Sequence, residues 1–148
     1  PLTGNPSISA CCFVGNARYT RYMDSEKLKV LLAEDDPFMT TLLAEGLKAA
    51  GLEPVFVANG EDAAKRFSEV QPAAILLDIL LPGKSGLEAL AEIRNLPGGA
   101  EVPAMILSNI EETSYIREAE RLKVFAYLVK ANMQVSDIVA KVKEAIGK

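Results

Sequence analysis

The sequence contains no histidine and only two cysteines. Without histidine it supplies no Ser-His-Asp triad, no His-ligated zinc site and no phosphohistidine relay. The cysteines, Cys11 and Cys12, are adjacent, so a disulfide bond between them cannot connect separate parts of a fold. So few cysteines favour a reducing, cytoplasmic setting. Any chemistry of this chain must therefore rest on carboxylates, lysine, hydroxyls and a hard metal ion.

Long apolar runs and excess positive charge are also missing. No apolar run approaches the roughly 18 residues that a membrane span needs, so we expect no membrane association. The formal net charge of -4 provides no large basic field, which disfavours direct nucleic-acid binding. The length and the apolar content fit one soluble globular domain with its own core.

Residues 1–27 differ in composition from the rest of the chain. They mix proline, glycine, asparagine, serine and threonine without a sustained period, and they lack the pattern of a signal peptide. Met23 looks like a natural start, so residues 1–22 are either an upstream extension or an artificial addition. We predict a flexible or appended N-terminal extension over 1–27 and a single domain over 28–148.

From residue 28 onward, apolar runs alternate with segments of helical period. Asp36 and Pro37 are typical of an N-cap and a first helical residue. The predicted strands are 28–34, 54–58, 73–78, 102–108 and 125–130, and the predicted helices are 37–50, 60–70, 86–95, 111–122 and 134–146. This alternation predicts an α/β fold with a doubly wound, five-stranded parallel sheet of order 2-1-3-4-5, a flavodoxin-like (βα)5 arrangement.

Four of the predicted strands end on residues that can carry chemistry. The first ends on Glu34 and Asp35, the third on Asp78, the fourth on Ser108 and the fifth on Lys130. Because the carboxyl ends of parallel strands meet at one edge of a sheet, we expect these side chains to share a crevice beside the switch point.

A crevice of this composition suits a phosphoryl group. Crowded carboxylates raise one another's pKa and need a cation, and Mg²⁺ prefers oxygen ligands and bridges carboxylates to phosphate oxygens. The turn after the first strand is Glu-Asp-Asp-Pro rather than a glycine-rich phosphate loop, so no nucleotide or other organic cofactor is expected. Each residue alone has a plain structural alternative, as a solvated strand end, a turn hydroxyl or an edge lysine, and only the combination favours a site.

The motifs around these residues resemble the receiver domain of two-component response regulators, such as the chemotaxis response regulators. They are Leu-Leu-Ala-Glu-Asp-Asp-Pro at 31–37, Leu-Leu-Asp-Ile-Leu-Leu-Pro-Gly-Lys-Ser-Gly at 76–86, Ile-Leu-Ser at 106–108 and Tyr-Leu-Val-Lys at 127–130. The resemblance covers residues 28–148.

The resemblance implies that Asp78 accepts a phosphoryl group from the phosphohistidine of a histidine kinase, or from a phosphotransfer protein. Glu34, Asp35, Asp78 and the backbone carbonyl of Leu80 would hold Mg²⁺, or Mn²⁺ in its place. Lys130 would neutralise charge on the transferring group. The protein would catalyse only its own phosphorylation and dephosphorylation.

The resemblance also implies a conformational switch. Ser108 would donate its hydroxyl to the bound phosphoryl group, and Tyr127 would move inward with it. The change would be read on the face formed by helix 4, strand 5 and helix 5, by a downstream protein target or a second copy in a phosphorylation-dependent homodimer. The poor apolar stripe of residues 111–122 fits a helix that can shift.

Three positions depart from the common family pattern. Ala131 stands where proline in a cis peptide usually follows the lysine, and a non-proline cis bond costs about 2.5 to 4 kcal/mol. We therefore predict a trans Lys130–Ala131 bond and an altered loop. Asn109 replaces a small residue and Leu80 a polar one, and both are expected to change water access to the acyl phosphate, in either direction.

The sequence thus favours a stand-alone, cytoplasmic receiver, with a fragment of a larger regulator as the alternative arrangement. Three alternatives stay open: a pseudo-receiver that is not phosphorylated and acts as an interaction module, a flavodoxin-like cofactor binder, and a small hydrolase.

Overall fold

The computed structural model describes residues 27–147. The strands are Lys29–Ala33 (β1), Glu53–Val57 (β2), Ala74–Leu77 (β3), Ala104–Ser108 (β4) and Ala126–Val129 (β5). The helices are Pro37–Ala49 (α1), Glu61–Val70 (α2), Gly86–Arg94 (α3), Thr113–Arg121 (α4) and Val135–Ile146 (α5), and a 3-10 turn spans Lys130–Asn132. Each predicted element is present with ends within two residues of the prediction, whereas the extension predicted for residues 1–27 lies outside the described residues except for Lys27.

All strand pairs are parallel, and the sheet order is β2-β1-β3-β4-β5. This confirms the predicted order 2-1-3-4-5. Ala33 at the end of β1 lies opposite Val57 of β2 and Leu77 of β3, so the residues after β1 and β3 leave the sheet side by side. The fold therefore places Glu34 and Asp78 at the same edge.

Alternate residues of the strands face two separate apolar layers. On one face β1 contributes Val30 and Leu32, which pack in the same cluster as Leu47 of α1 and Val142 of α5. The opposite face packs against α2, α3 and α4 through Leu31, Ala33, Phe67, Leu90, Ile93 and Ala119. Burial on both faces explains why the strands read as continuous apolar runs.

Local hydrogen bonds fix where the helices begin. The Asp36 side chain accepts a hydrogen bond of 3.0 Å from the N–H of Phe38, with Pro37 in the first turn, which confirms the predicted cap. Just before α2, the Asn59 side chain accepts a hydrogen bond of 2.8 Å from the N–H of Asp62. These bonds satisfy N–H groups that have no partner within their own helix.

The inner face of α3 differs in part from its prediction. The helical spacing predicts that Leu87, Leu90, Ala91 and Arg94 face the sheet. Leu87 and Leu90 are buried, but Ala91 and Arg94 are only half-buried, and Ile93 is also buried. The Arg94 guanidinium packs at the end of the helix, where burial lowers its pKa. It donates hydrogen bonds to the carbonyl oxygens of Gly99, Val102, Leu122 and Lys123.

Helix α4 is the most weakly buried of the helices. Of its nine residues only Ala119 is fully buried, as its poor apolar stripe predicts. Arg94 holds the chain just after the helix through the Leu122 and Lys123 carbonyls. Among residues 27–147, no helix is both long enough and apolar enough to span a membrane.

Candidate phosphorylation site

Three carboxylates meet at the carboxyl edge of the sheet. Glu34 and Asp35 follow β1 and Asp78 follows β3, and one oxygen from each lies within 4.8 Å of the other two. Glu34 and Asp78 are buried, whereas Asp35 is exposed. The sheet order brings together the acids that the sequence predicted to share a crevice.

Lys130 crosses this crevice from the end of β5. Its Nζ lies 2.9 Å from Asp78 Oδ2, to which it donates a hydrogen bond, and 2.9 Å from Glu34 Oε1. The buried Oε1 of Glu34 makes this ion-pair contact but accepts no hydrogen bond from the described residues. Glu34 Oε2 accepts from the N–H of Asp36 at 3.2 Å.

Burial and charge act together on the pKa values in the crevice. Burial raises the pKa of Glu34, and the Asp78 charge raises it further, while Lys130 opposes the shift. Burial by itself lowers the pKa of Lys130, but the hydrogen bond to Asp78 and the ion pair with Glu34 outweigh that effect and raise it. Lys130 is therefore charged at neutral pH, and its single positive charge does not balance the three carboxylates of the crevice.

The oxygen atoms that the crevice offers as metal ligands fit a hard divalent cation. Lys130 supplies one positive charge against three carboxylates, and Glu34 Oε1 is a buried oxygen that still lacks a hydrogen bond within the described part of the chain. An all-oxygen set of this kind suits Mg²⁺ and suits softer metals poorly. Glu34, Asp35 and Asp78 are the residues that would hold the ion, whereas a role for the Leu80 carbonyl stays a prediction.

The main chain around Asp78 is tightly confined. Its N–H donates to the Ala33 carbonyl at 2.9 Å, and its Oδ1 accepts from the N–H of Leu80 at 3.3 Å. Gly86, the first residue of α3, packs against the Asp78 carbonyl so closely that an added Cβ would lie 2.0 Å from that oxygen. Both carboxylate oxygens of Asp78 are thus hydrogen-bonded, and no side chain fits at position 86 beside the Asp78 backbone.

Ser108 and Tyr127 are linked through one residue that the sequence did not single out. Ile110 donates its N–H to Ser108 Oγ at 3.2 Å, and its carbonyl accepts a hydrogen bond from the Tyr127 hydroxyl. Ser108 is buried and Tyr127 half-buried. Ile110 acts through its main chain, which leaves no signal in the sequence.

The loop after Lys130 agrees with its prediction. The Lys130–Ala131 peptide bond is trans, and a 3-10 turn follows. The Ala131 N–H donates to Asn109 Oδ1 at 2.8 Å. The two departures from the family pattern at 109 and 131 are therefore joined by one hydrogen bond, which neither position predicts alone.

Comparison with known proteins now identifies this architecture. The family model for the response regulator receiver domain matches residues 30–143. The phosphate regulon regulatory protein PhoB of Rhizobium meliloti is 31% identical over 120 residues, which cover 78% of this chain and 50% of PhoB. Chemotaxis protein CheY of Listeria monocytogenes is 41% identical over 76 residues, covering 51% of this chain and 64% of CheY. The chain spans between 37% and 64% of the lengths of BaeR of Escherichia coli, PhoB and CheY.

Solved structures agree with the family model. The receiver domain of the sensor histidine kinase PA1611 from Pseudomonas aeruginosa, which has magnesium in its active-site cleft, superimposes with a TM-score of 0.75 at 26% identity, covering 83% of this chain and 100% of that one. CheY4 of Vibrio cholerae gives a TM-score of 0.75 over 81% of this chain and 99% of its own, but at 19% identity it supports the fold alone. The chain belongs to the response regulator receiver domain family of two-component signalling.

Proposed function

We propose that this chain is a receiver that is phosphorylated on Asp78 in a Mg²⁺-dependent reaction. One observation carries the proposal: carboxylate oxygens of Glu34, Asp35 and Asp78 lie within 4.8 Å of one another, with Lys130 Nζ 2.9 Å from Asp78. Receiver domains are signalling modules that take phosphoryl groups from histidine kinases and act on downstream effectors, rather than conventional enzymes. The comparisons favour neither a flavodoxin-like cofactor binder nor a small hydrolase.

Asp78, Lys130 and Ser108 have different roles in phosphoryl transfer. An Asp78 carboxylate oxygen forms a bond to phosphorus as the bond to the donor imidazole nitrogen breaks, and the imidazole takes up a proton. Hydrogen bonds from Lys130 and the Leu80 N–H orient the nucleophile beforehand. Lys130 and Ser108 then face the charged equatorial oxygens, where fixed donors stabilise a loose transition state. A bound Mg²⁺ supplies further positive charge at those oxygens.

Two exposed apolar side chains lie close in sequence to the acids of the crevice and support a protein as the phosphoryl donor. Phe38, in the first turn of α1, is 72% exposed, and Leu80, two residues after Asp78, is 64% exposed. Exposed aromatic and aliphatic side chains beside a polar site serve as anchors for a partner surface. A small-molecule donor would need neither of them.

The readout is a switch on the α4-β5-α5 face. Few residues of α4 are buried, and the Tyr127 hydroxyl holds Ile110, which lies just before that helix. A phosphoryl group on Asp78 would draw the Ser108 hydroxyl away from the Ile110 N–H and thereby release this region toward a second arrangement. The partner is a downstream protein or a second copy of the chain, in the cytoplasm. A stand-alone arrangement stays a prediction, because the aligned part makes up only 37% of BaeR and 50% of PhoB, although it makes up 64% of CheY.

Incubation with acetyl phosphate and Mg²⁺, followed by intact mass measurement, tests the proposal. The wild type should gain one phosphoryl group, and D78A should gain none. An unmodified wild type would instead favour the pseudo-receiver, a module that interacts without being phosphorylated.

A further inference from the structure

Asn109 and Ala131 form a contact between the ends of two neighbouring strands. Ser108, the last residue of β4, lies opposite Val129, the last residue of β5. One position beyond Ser108, the Asn109 side chain accepts the Ala131 N–H at 2.8 Å. This side-chain hydrogen bond thus continues the connection between β4 and β5 beyond their last paired residues, to the position just after Lys130.

The bond satisfies a donor that would otherwise have no protein partner. Ala131 lies in the 3-10 turn Lys130–Asn132, in which the Met133 N–H donates to the Lys130 carbonyl at 3.2 Å. The first N–H groups of a helical turn have no acceptor within the turn. Unlike proline, alanine brings an N–H to this position, and Asn109 Oδ1 accepts it.

The backbone of Lys130 is therefore held on both sides. On its N-terminal side, β5 pairs with β4 and lies at the edge of the sheet that residues 27–147 form. On its C-terminal side the peptide N–H of Ala131 is held by Asn109. Lysine has a long side chain with many rotamers, so a fixed backbone is needed to keep Nζ at 2.9 Å from both Glu34 and Asp78.

We infer that Asn109 is a positioning residue for Lys130, acting through the Ala131 N–H. The inference rests on the proposed function for its consequence, since Lys130 acts on the phosphoryl group there. The effect of Asn109 on water access to the acyl phosphate stays a prediction, whereas the geometry shows that its carboxamide oxygen accepts the Ala131 N–H.

Three substitutions separate the hydrogen bond from the bulk of the side chain. N109A removes both, N109L removes the acceptor but keeps comparable bulk, and N109D keeps the acceptor. N132A changes an exposed residue of the same turn and serves as the matched control. Phosphorylation by acetyl phosphate is measured at saturating Mg²⁺, with N109D compared at high ionic strength to screen its added charge.

N109A and N109L should slow phosphorylation by about three- to tenfold, the effect expected for one hydrogen bond. The Mg²⁺ dissociation constant and the melting temperature should stay close to those of the wild type, since Asn109 holds none of the carboxylates. N109D and N132A should retain the wild-type rate. An N109L variant as fast as the wild type, or a weakened Mg²⁺ site in N109A, would overturn the inference.

Nuclear magnetic resonance supplies a readout that does not depend on phosphorylation. In N109A and N109L the Ala131 amide proton should exchange faster and the Lys130 side chain should become more mobile, with neither change in N109D or N132A. Unchanged Ala131 exchange and Lys130 mobility in N109A would refute the positioning role. If the wild type takes no phosphate, the proposed function fails, and these two signals alone decide whether Asn109 positions Lys130.

Discussion

Lys130 Nζ lies 2.9 Å from Asp78 Oδ2, although the two residues are 52 positions apart in the chain. They meet because β3 and β5 belong to one parallel sheet, with β4 between them. The same nitrogen lies 2.9 Å from Glu34 Oε1, so one cation faces acids from two other strand ends. The charge that a phosphoryl group needs is therefore in place before the group arrives.

Replacing Lys130 with methionine should separate phosphorylation from metal binding. K130M should slow phosphorylation by acetyl phosphate on the order of 10²-fold, the loss typical of removing one preorganised charge-stabilising donor. Its Mg²⁺ affinity should be unchanged or higher, because a competing cation is gone. K84M, which removes a half-buried lysine paired with Glu92, is the control and should match the wild type in both measurements. A large loss of Mg²⁺ affinity in K130M would contradict the assigned role.

Substitutions of the adjacent residues Asp35 and Asp36 should differ in their effect on Mg²⁺ affinity. D35N should weaken Mg²⁺ binding by at least about tenfold in calorimetric titration, as a ligand of the ion. D36N removes one charge next door but leaves the α1 cap intact, since asparagine caps helices as well as aspartate does. Equal weakening in both variants would mean that Asp35 acts only through its charge.

Two glycine substitutions should destabilise the fold to a similar degree but affect the site differently. In G86A the new Cβ would lie 2.0 Å from the Asp78 carbonyl oxygen, so the Asp78 backbone must move. We expect a loss of about 1 to 3 kcal/mol in the free energy of unfolding and phosphorylation slower on the order of 10²-fold.

G51A is the comparison, because Gly51 has a φ of +85° but no atom near its added Cβ. It should lose about 1 to 2 kcal/mol through backbone strain and phosphorylate at the wild-type rate. Urea unfolding and the acetyl phosphate assay measure the two quantities. If G86A phosphorylates as fast as G51A, Gly86 does not hold Asp78 in place.

Tyr127 should make stability depend on pH in the alkaline range. Burial, with nearby negative charge including Asp78, raises the pKa of Tyr127 above 10.0. A raised folded pKa means that the contribution of Tyr127 to stability is complete below about pH 10 and is lost as pH rises through the folded value. The difference in free energy of unfolding between the wild type and Y127F should therefore shrink above pH 10. A difference that is constant from pH 8 to pH 11 would exclude this effect.

The order of the sheet and the acids at its edge could be read from the sequence because both depend on local pattern. Apolar runs marked the strands, and the parallel arrangement then placed Glu34 and Asp78 together. Asp36 could likewise be separated from the site as a cap, since Pro37 follows it.

Contacts that depend on how loops cross in three dimensions could not be predicted. Glu34 is buried whereas Asp35 is exposed, and no periodicity distinguishes two adjacent acids beyond a strand end. Glycine at position 86 is compatible with a close backbone approach, but the residue type does not say that Asp78 is the partner, and the main-chain bonds of Ile110 leave no trace in residue type. Asn109 looked like an isolated departure from the family pattern until its contact with Ala131 was visible.

Chemical mapping of the phosphorylated residue tests the central claim most directly. Borohydride reduces an acyl phosphate to an alcohol, which converts a phosphorylated aspartate into homoserine. After labelling with acetyl phosphate and Mg²⁺, peptide mass spectrometry should find homoserine at position 78, with Asp35 and Asp36 unchanged. Modification of Asp35 instead of Asp78, or a labelled protein with no homoserine, would contradict the account.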